Sequence, residues 1–152
     1  MKQSAGILLY KINNTKIFVL LGHPGGPFWK NKDLGAWSIP KGEFTNEEKP
    51  FDAAMREFEE ETGIKLQGKF IELQPVKLKS GKIIYAWALE QDIDASKIKS
   101  NTFEIEWPPK SGKFISIPEI DRAEWFSIDI AIEKINGGQS DLILQLVATI
   151  AK

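Results

Sequence analysis

Two apolar runs open the chain, residues 5–12 (AGILLYKI) and 16–21 (KIFVLL), joined by Asn13-Asn14-Thr15. Rich in aliphatic and β-branched residues and separated by a polar turn, they read as a β-hairpin. Residues 22–35 (GHPGGPFWKNKDLG) are dense in glycine and proline and read as a loop, followed by a short strand at 36–40. The pattern then becomes helical over residues 50–62, with Pro50 suited to the first turn and Gly63 to the left-handed position just past the end. Residues 69–79 and 82–90 suggest a second hairpin turning at Ser80-Gly81. Residues 91–120, with polar clusters and Pro108-Pro109, suggest a long excursion of the kind that is often functional. A strand at 123–126 precedes two helices, one capped by Ser127 and ending at Gly137-Gly138, the other capped by Ser140. Interleaved strands and helices imply an α/β sheet covered by helices.

On a helical wheel of residues 50–62, Phe51, Ala54, Met55, Phe58 and Thr62 share one side and form a stripe that can pack on the sheet. Glu57, Glu60 and Glu61 lie three and four apart on the neighbouring face, with Arg56 at its flank. Like charges at that spacing repel, and the dipole disfavours acids near a helix C-terminus. A solvated acidic face is the competing explanation. It is weakened because the carboxylates border the apolar stripe instead of opposing it.

Composition narrows the chemistry. With 152 residues and 42% hydrophobic content, the chain is expected to form one domain over 1–152. No cysteine is present, which excludes thiolate metal sites, and the single histidine, His23, argues against a histidine-based one. A metal here is held by oxygen, which suits magnesium or manganese. Net charge is −1, with 20 basic and 21 acidic residues and no basic stripe, so nucleic acid is not expected as a partner. Nor is a membrane, since the apolar runs are too short to span one. A cytoplasmic protein, monomer or homodimer, is the expectation.

Gly42, Glu48, Arg56, Glu57, Phe58, Glu60, Glu61, Gly63 and Ile64 complete the pattern G-x5-E-x7-R-E-U-x-E-E-x-G-U, where U is a large apolar residue. Seven of these positions demand one residue type, a coincidence expected about once in 10^8 windows at average usage. The segment resembles the signature of the Nudix hydrolases, and the opening strands and Glu124-Trp125-Phe126 follow in the family's order. That resemblance implies an α/β/α sandwich around a central mixed β-sheet, and magnesium-dependent cleavage of a nucleoside diphosphate linked to another group.

Further roles follow from the resemblance. Glu57, Glu60 and Glu61 carry the metals with the backbone carbonyl of Gly42, and Glu57 orients or deprotonates the water. Arg56 holds a glutamate in place by a charge-assisted hydrogen bond, and Glu48 pairs with a lysine or back-bonds near the helix start. Glu119, six positions before Trp125, matches a fourth carboxylate that many relatives recruit as a metal ligand or base, with Glu104 and Glu106 as weaker candidates. Lys41 stands in a Pro-Lys-Gly similar to that of diadenosine polyphosphate hydrolases, where a lysine can meet a phosphate. Tyr85, which matches a tyrosine of diadenosine polyphosphate hydrolases, and Trp29, chosen for its place in the glycine- and proline-rich loop, are the aromatics expected to bind substrate, ahead of Phe28, Trp87 and Trp107; His23, in the same loop, is expected to be a loop residue. The favoured substrate is a dinucleoside polyphosphate such as diadenosine tetraphosphate. Alternatives are a housecleaning nucleoside triphosphate pyrophosphohydrolase, a nucleotide-binding module without turnover, and, least supported, removal of an RNA cap or 5′-triphosphate.

Overall fold

The computed structural model of the protein describes residues 2–151. Strands β1 (Gln3–Asn13) and β2 (Lys16–Pro24) form the expected hairpin, with Tyr10 opposite Val19 and Asn13 opposite Lys16. Its turn residues Asn14 and Thr15 both have positive φ, 50° and 66°, as a two-residue hairpin turn with right-handed strand twist requires. Strands β3 (Lys41–Glu43), β4 (Phe70–Glu72), β5 (Val76–Lys77), β6 (Ile83–Glu90) and, near the C-terminus, β9 (Ile120–Ser127) complete a seven-stranded sheet. Its main path runs β4-β6-β1-β2-β9. The β1–β6 pair is parallel and the others are antiparallel, so the sheet is mixed, as the family resemblance implied.

Both sheet faces are covered, which explains why β1 shows no polar alternation. Ala5, Ile7 and Leu9 point to one side, where they meet Ala54 and Phe58 of helix α1 (Pro50–Thr62). Leu8 and Tyr10 point to the other. There they pack with Val19, Leu21 and Trp37 under α2 (Ile128–Lys134) and α3 (Ser140–Ile150). The result is an α/β/α sandwich.

Along one edge, β1 changes partner. Ser4, Ala5 and Gly6 pair with β3, whereas Tyr10 to Asn13 pair with β2. A side chain at Gly6 would come within 2.5 Å of the Pro40 carbonyl, so the close approach of the chain here depends on glycine. The sheet divides at this point, and the functional cavity opens beside the division.

Several boundaries differ from expectation. β2 continues through Gly22, His23 and Pro24, pairing with β9 before the loop begins. Residues 36–40 form isolated bridges, Gly22 to Ser38 and Trp37 to Ile135, and the strand proper starts at Lys41. The second hairpin is interrupted between β4 and β5, around Pro75. Residues 91–120 contain a 3-10 turn at Ala95–Lys97 and a separate ribbon of β7 (Thr102–Glu106) and β8 (Phe114–Pro118). α2 stops at Lys134, short of Gly137-Gly138, because Ile135 turns extended and buried to bridge Trp37. Ser127 sits at the start of α2 but makes no capping side-chain bond, and Ser140 is already inside α3.

Candidate active site

Helix α1 is rotated relative to the simple apolar stripe. Its buried residues are Ala53, Ala54, Glu57, Phe58, Glu61 and Thr62, while Phe51 and Met55 lie at the margin. Two glutamates are thereby turned toward the sheet, and Glu60 is left at the exposed edge. The helix ends where Gly63 takes φ 75° and its N–H donates to the Glu59 carbonyl at 2.7 Å.

Close approach between helix and β3 depends on Gly42. A Cβ built there would lie 1.8 Å from Glu57 Oε1 and 2.0 Å from its Cδ. The Glu57 carboxylate occupies the space that any other residue would fill. Arg56 holds it from the far side: one guanidinium nitrogen donates to Glu57 Oε2 at 2.6 Å and to Glu60 at 3.1 Å. The same guanidinium grips both oxygens of Glu48 at 2.9 Å, a bidentate pair. These acceptors raise the Arg56 pKa, and its hydrogen bonds in turn hold Glu48 below the usual carboxylate range. Replacing Arg56 by lysine supplies one point charge for a three-acceptor fork. We expect kcat to fall about 100-fold in steady-state assays with little change in KM; a KM-dominated loss would place Arg56 on substrate instead.

Glu57, Glu61 and Glu119 offer carboxylate oxygens that all lie within 4.8 Å of one another. Glu61 is almost fully buried, and its Oε2 has no hydrogen-bond partner among the described residues. Desolvation, then the charges of Glu119 and Glu57, push its pKa up to about 9, against the opposing pull of Lys41. Burial likewise raises Glu57 and Glu119. Lys41, facing the same space, is lowered by desolvation and then by Lys82. Two buried acids, a half-buried third and an orphaned carboxylate oxygen make a cluster with more negative than positive charge facing it, and the all-oxygen donor set fits a hard divalent cation.

Glu119 reaches this cluster from 58 residues beyond Glu61 through a chain of backbone bonds. The segment leading into β7 lies across the end of α1: Lys99 N–H donates to the Thr62 carbonyl and Asn101 N–H to that of Glu60, each at 2.8 Å. Glu119 N–H then donates to the Asn101 carbonyl at 3.1 Å, and Gly25 N–H to the Glu119 carbonyl at 3.2 Å. Beside the cluster lies a cavity of about 310 Å³. Lys41, Glu61 and Glu119 line it together with Gly22, Pro24, Ser38, Ile39, Phe103 and Ile120.

Comparison with known proteins agrees with this geometry. The NUDIX domain model matches residues 2–146. The chain belongs to the Nudix family. Its fold is similar to a Caenorhabditis elegans Ap4A hydrolase binary complex, at 20% identity and TM-score 0.65, covering 99% of this chain and 98% of that one. It is also similar to the NUDIX domain of Shewanella oneidensis NrtR complexed with ADP ribose, at 16% identity and TM-score 0.65, covering 97% and 87%. A third likeness is to MutT from Aliivibrio salmonicida and Vibrio cholerae, at 16% identity and TM-score 0.57, covering 97% and 96%. No curated protein sequence matches the chain. Family membership makes the protein a pyrophosphohydrolase of nucleoside diphosphate-linked substrates, and Nudix enzymes generally use a divalent metal.

The structure does not gather every expected residue of this Nudix enzyme around the cavity. Tyr85 packs with Phe44 beneath α1, and Trp29 lies against Phe28 and the opposite core; neither lines the cavity. Glu106 accepts N–H bonds from Lys110 and Gly112 and so closes the ribbon's turn, while Glu104 is exposed. His23 lies within β2, fully buried, with Nε2 donating to the Lys32 carbonyl and Nδ1 beside Asp121. Its bonds hold the loop to the sheet. Gln139 was not foreseen: from its turn it accepts the Ile39 N–H at 3.1 Å and bonds Ser38, fixing the approach to Lys41. Phe103 was also missed, although the alternation Thr102-Phe103-Glu104-Ile105-Glu106 is the signature of a strand with one apolar face.

Proposed function

We propose that this Nudix enzyme hydrolyses a dinucleoside polyphosphate of the diadenosine tetraphosphate kind, with magnesium held by Glu57, Glu61 and Glu119 and manganese able to replace it. The observation that carries this reading is the Lys41 ammonium on the cavity wall beside Glu61, where it can meet a phosphate beyond the one that is attacked. The likeness to an Ap4A hydrolase supports it. The lack of cysteine suits action in the cytoplasm.

When bound, the divalent ion neutralises phosphate oxygens and lowers the pKa of a coordinated water. The remaining work falls to the chain. Glu57, Glu61 and Glu119 would hold the ion together with the Gly42 carbonyl, and Glu60 stands at the outer edge of the group. Arg56 fixes the direction of Glu57, which orients or deprotonates the attacking water. Ile39 and Ile120 give the cavity apolar walls beside the carboxylates. A Glu119→Gln variant should lose about 100-fold in kcat while keeping its thermal midpoint within a few degrees, because Glu119 is held by its backbone. Unchanged kcat would remove it from the metal group.

A second reading, release of pyrophosphate from a nucleoside triphosphate, is favoured by cavity size, since about 310 Å³ is at the small end for ligand pockets. One assay separates the two. Dinucleoside polyphosphates, nucleoside triphosphates and nucleotide sugars are incubated with magnesium and the products resolved by chromatography, with Glu60→Gln and Glu61→Gln as controls. ATP plus AMP from diadenosine tetraphosphate supports the first reading; a monophosphate plus pyrophosphate, with the dinucleotide left intact, replaces it with the second. Turnover untouched by both substitutions would overturn the metal-site assignment.

A further inference from the structure

The cavity wall is of two chemical kinds: Lys41, Glu61 and Glu119 supply charge, and Phe103, Ile120 and Pro24 supply apolar surface. A nucleotide has the same division, with anionic phosphates at one end and a flat, weakly hydrated base at the other.

Phe103 belongs to β7, in the ribbon that the sheet does not include. Its registered partner is Ile117, so the two side chains share one face of the ribbon. Ile117 is buried against Gly26, where a Cβ would come within 2.6 Å of its terminal methyl, and this contact seats the ribbon on the loop after β2. Phe103 beside it remains 44% exposed. On the cavity wall, that ring offers a flat apolar face to a ligand in the cavity.

The position of Phe103 is also well defined. Two residues before it, Asn101 is bonded to the end of α1 through Glu60 and to Glu119 through its carbonyl. The ring is therefore held at a set separation from the carboxylate cluster by the same bonds that place Glu119. A base platform needs that property, because the distance from base to scissile phosphate is set by the nucleotide itself.

We infer that Phe103 is the specificity-determining residue of the nucleoside subsite, stacking against the base whose phosphate chain runs to Lys41 and the carboxylates. This rests on the proposed nucleotide substrate and takes the subsite away from Tyr85 and Trp29. Stacking on an aromatic ring tolerates any base, so the subsite selects for a nucleoside over a bare polyphosphate more than for one base over another.

The test compares binding of α,β-methylene-ATP with binding of inorganic tripolyphosphate, by calorimetry in millimolar magnesium, in the unaltered enzyme and in Phe103→Ala and Phe103→Trp. The expected result for Phe103→Ala is a loss of about 10- to 100-fold in affinity for the nucleotide, with tripolyphosphate unchanged and the tryptophan variant restoring nucleotide binding. Equal weakening of both ligands would show that Phe103 only supports the Glu119 backbone, and no weakening of either would place the base elsewhere. Each of those results overturns the assignment. Diadenosine tetraphosphate turnover by the unaltered enzyme, measured on the same preparation, reports separately on the proposed function.

Discussion

Glu61→Gln should abolish turnover, by about 1,000-fold or more in kcat/KM, and at the same time make the metal-free protein more stable at pH 8. The first effect follows from removing one carboxylate of the proposed metal group. The second follows from linkage. In the folded, metal-free state the Glu61 pKa stands at about 9, whereas an unfolded glutamate titrates near 4.5. Between those values the folded state holds a proton that the unfolded chain releases, so stability is intact below about pH 4.5 and falls as pH rises toward 9. At pH 7 the penalty is on the order of 3 kcal/mol. Glutamine cannot ionise and escapes it. For a domain of this size each kcal/mol moves the thermal midpoint by about 2–4 °C, so the variant should melt several degrees higher without metal. Thermal melts from pH 5 to 9 in chelator, repeated with millimolar magnesium, check this. Magnesium should raise the midpoint of the unaltered protein most at alkaline pH and should leave the variant nearly unmoved. A flat pH profile in chelator would show that Glu61 is charged and comfortable without an ion, which contradicts its burial.

Gly42→Ala is expected to separate folding from function in a different way. The new methyl would overlap the Glu57 carboxylate, yet that carboxylate is the far end of a flexible side chain and can rotate away. The fold should therefore survive, with a midpoint change of a few degrees at most. Displaced, Glu57 loses its place between Gly42 and Arg56, and we expect turnover to drop about 100- to 1,000-fold with at least tenfold weaker metal binding by calorimetry. Unaltered metal affinity would mean that Glu57 ligates equally well from a second position.

How far these features could be read from the chain alone varies with their physical origin. Helix α1 was legible to the residue because Pro50 and Gly63 punctuate it chemically. The β1–β2 hairpin was legible because its turn residues are short and polar between apolar runs. The rotation of α1 was not. The wheel put the glutamates beside the apolar stripe and Met55 within it, whereas here Glu57 and Glu61 are buried and Met55 lies at the margin. Glu60 shares their spacing but not their environment, since Arg56 holds it at the rim. Ser127 stands at the start of α2 without a side-chain capping bond and α3 already includes Ser140, while contacts with Trp37 fix the C-terminal end of α2. The ribbon within 91–120 was hidden by its proline-rich turn, although its apolar alternation was present throughout.

The clamp formed by Lys99, Asn101, Glu119 and Gly25 has an engineering consequence. Entry to and exit from the ribbon are fastened to the helix end and to the β2 loop before the ribbon itself begins. Residues 102–118 thus behave as a cassette on a fixed socket: a transplanted ribbon of different length or lining would inherit an undisturbed acid at its base, so that preference among leaving groups could be exchanged while the hydrolytic apparatus stays in place.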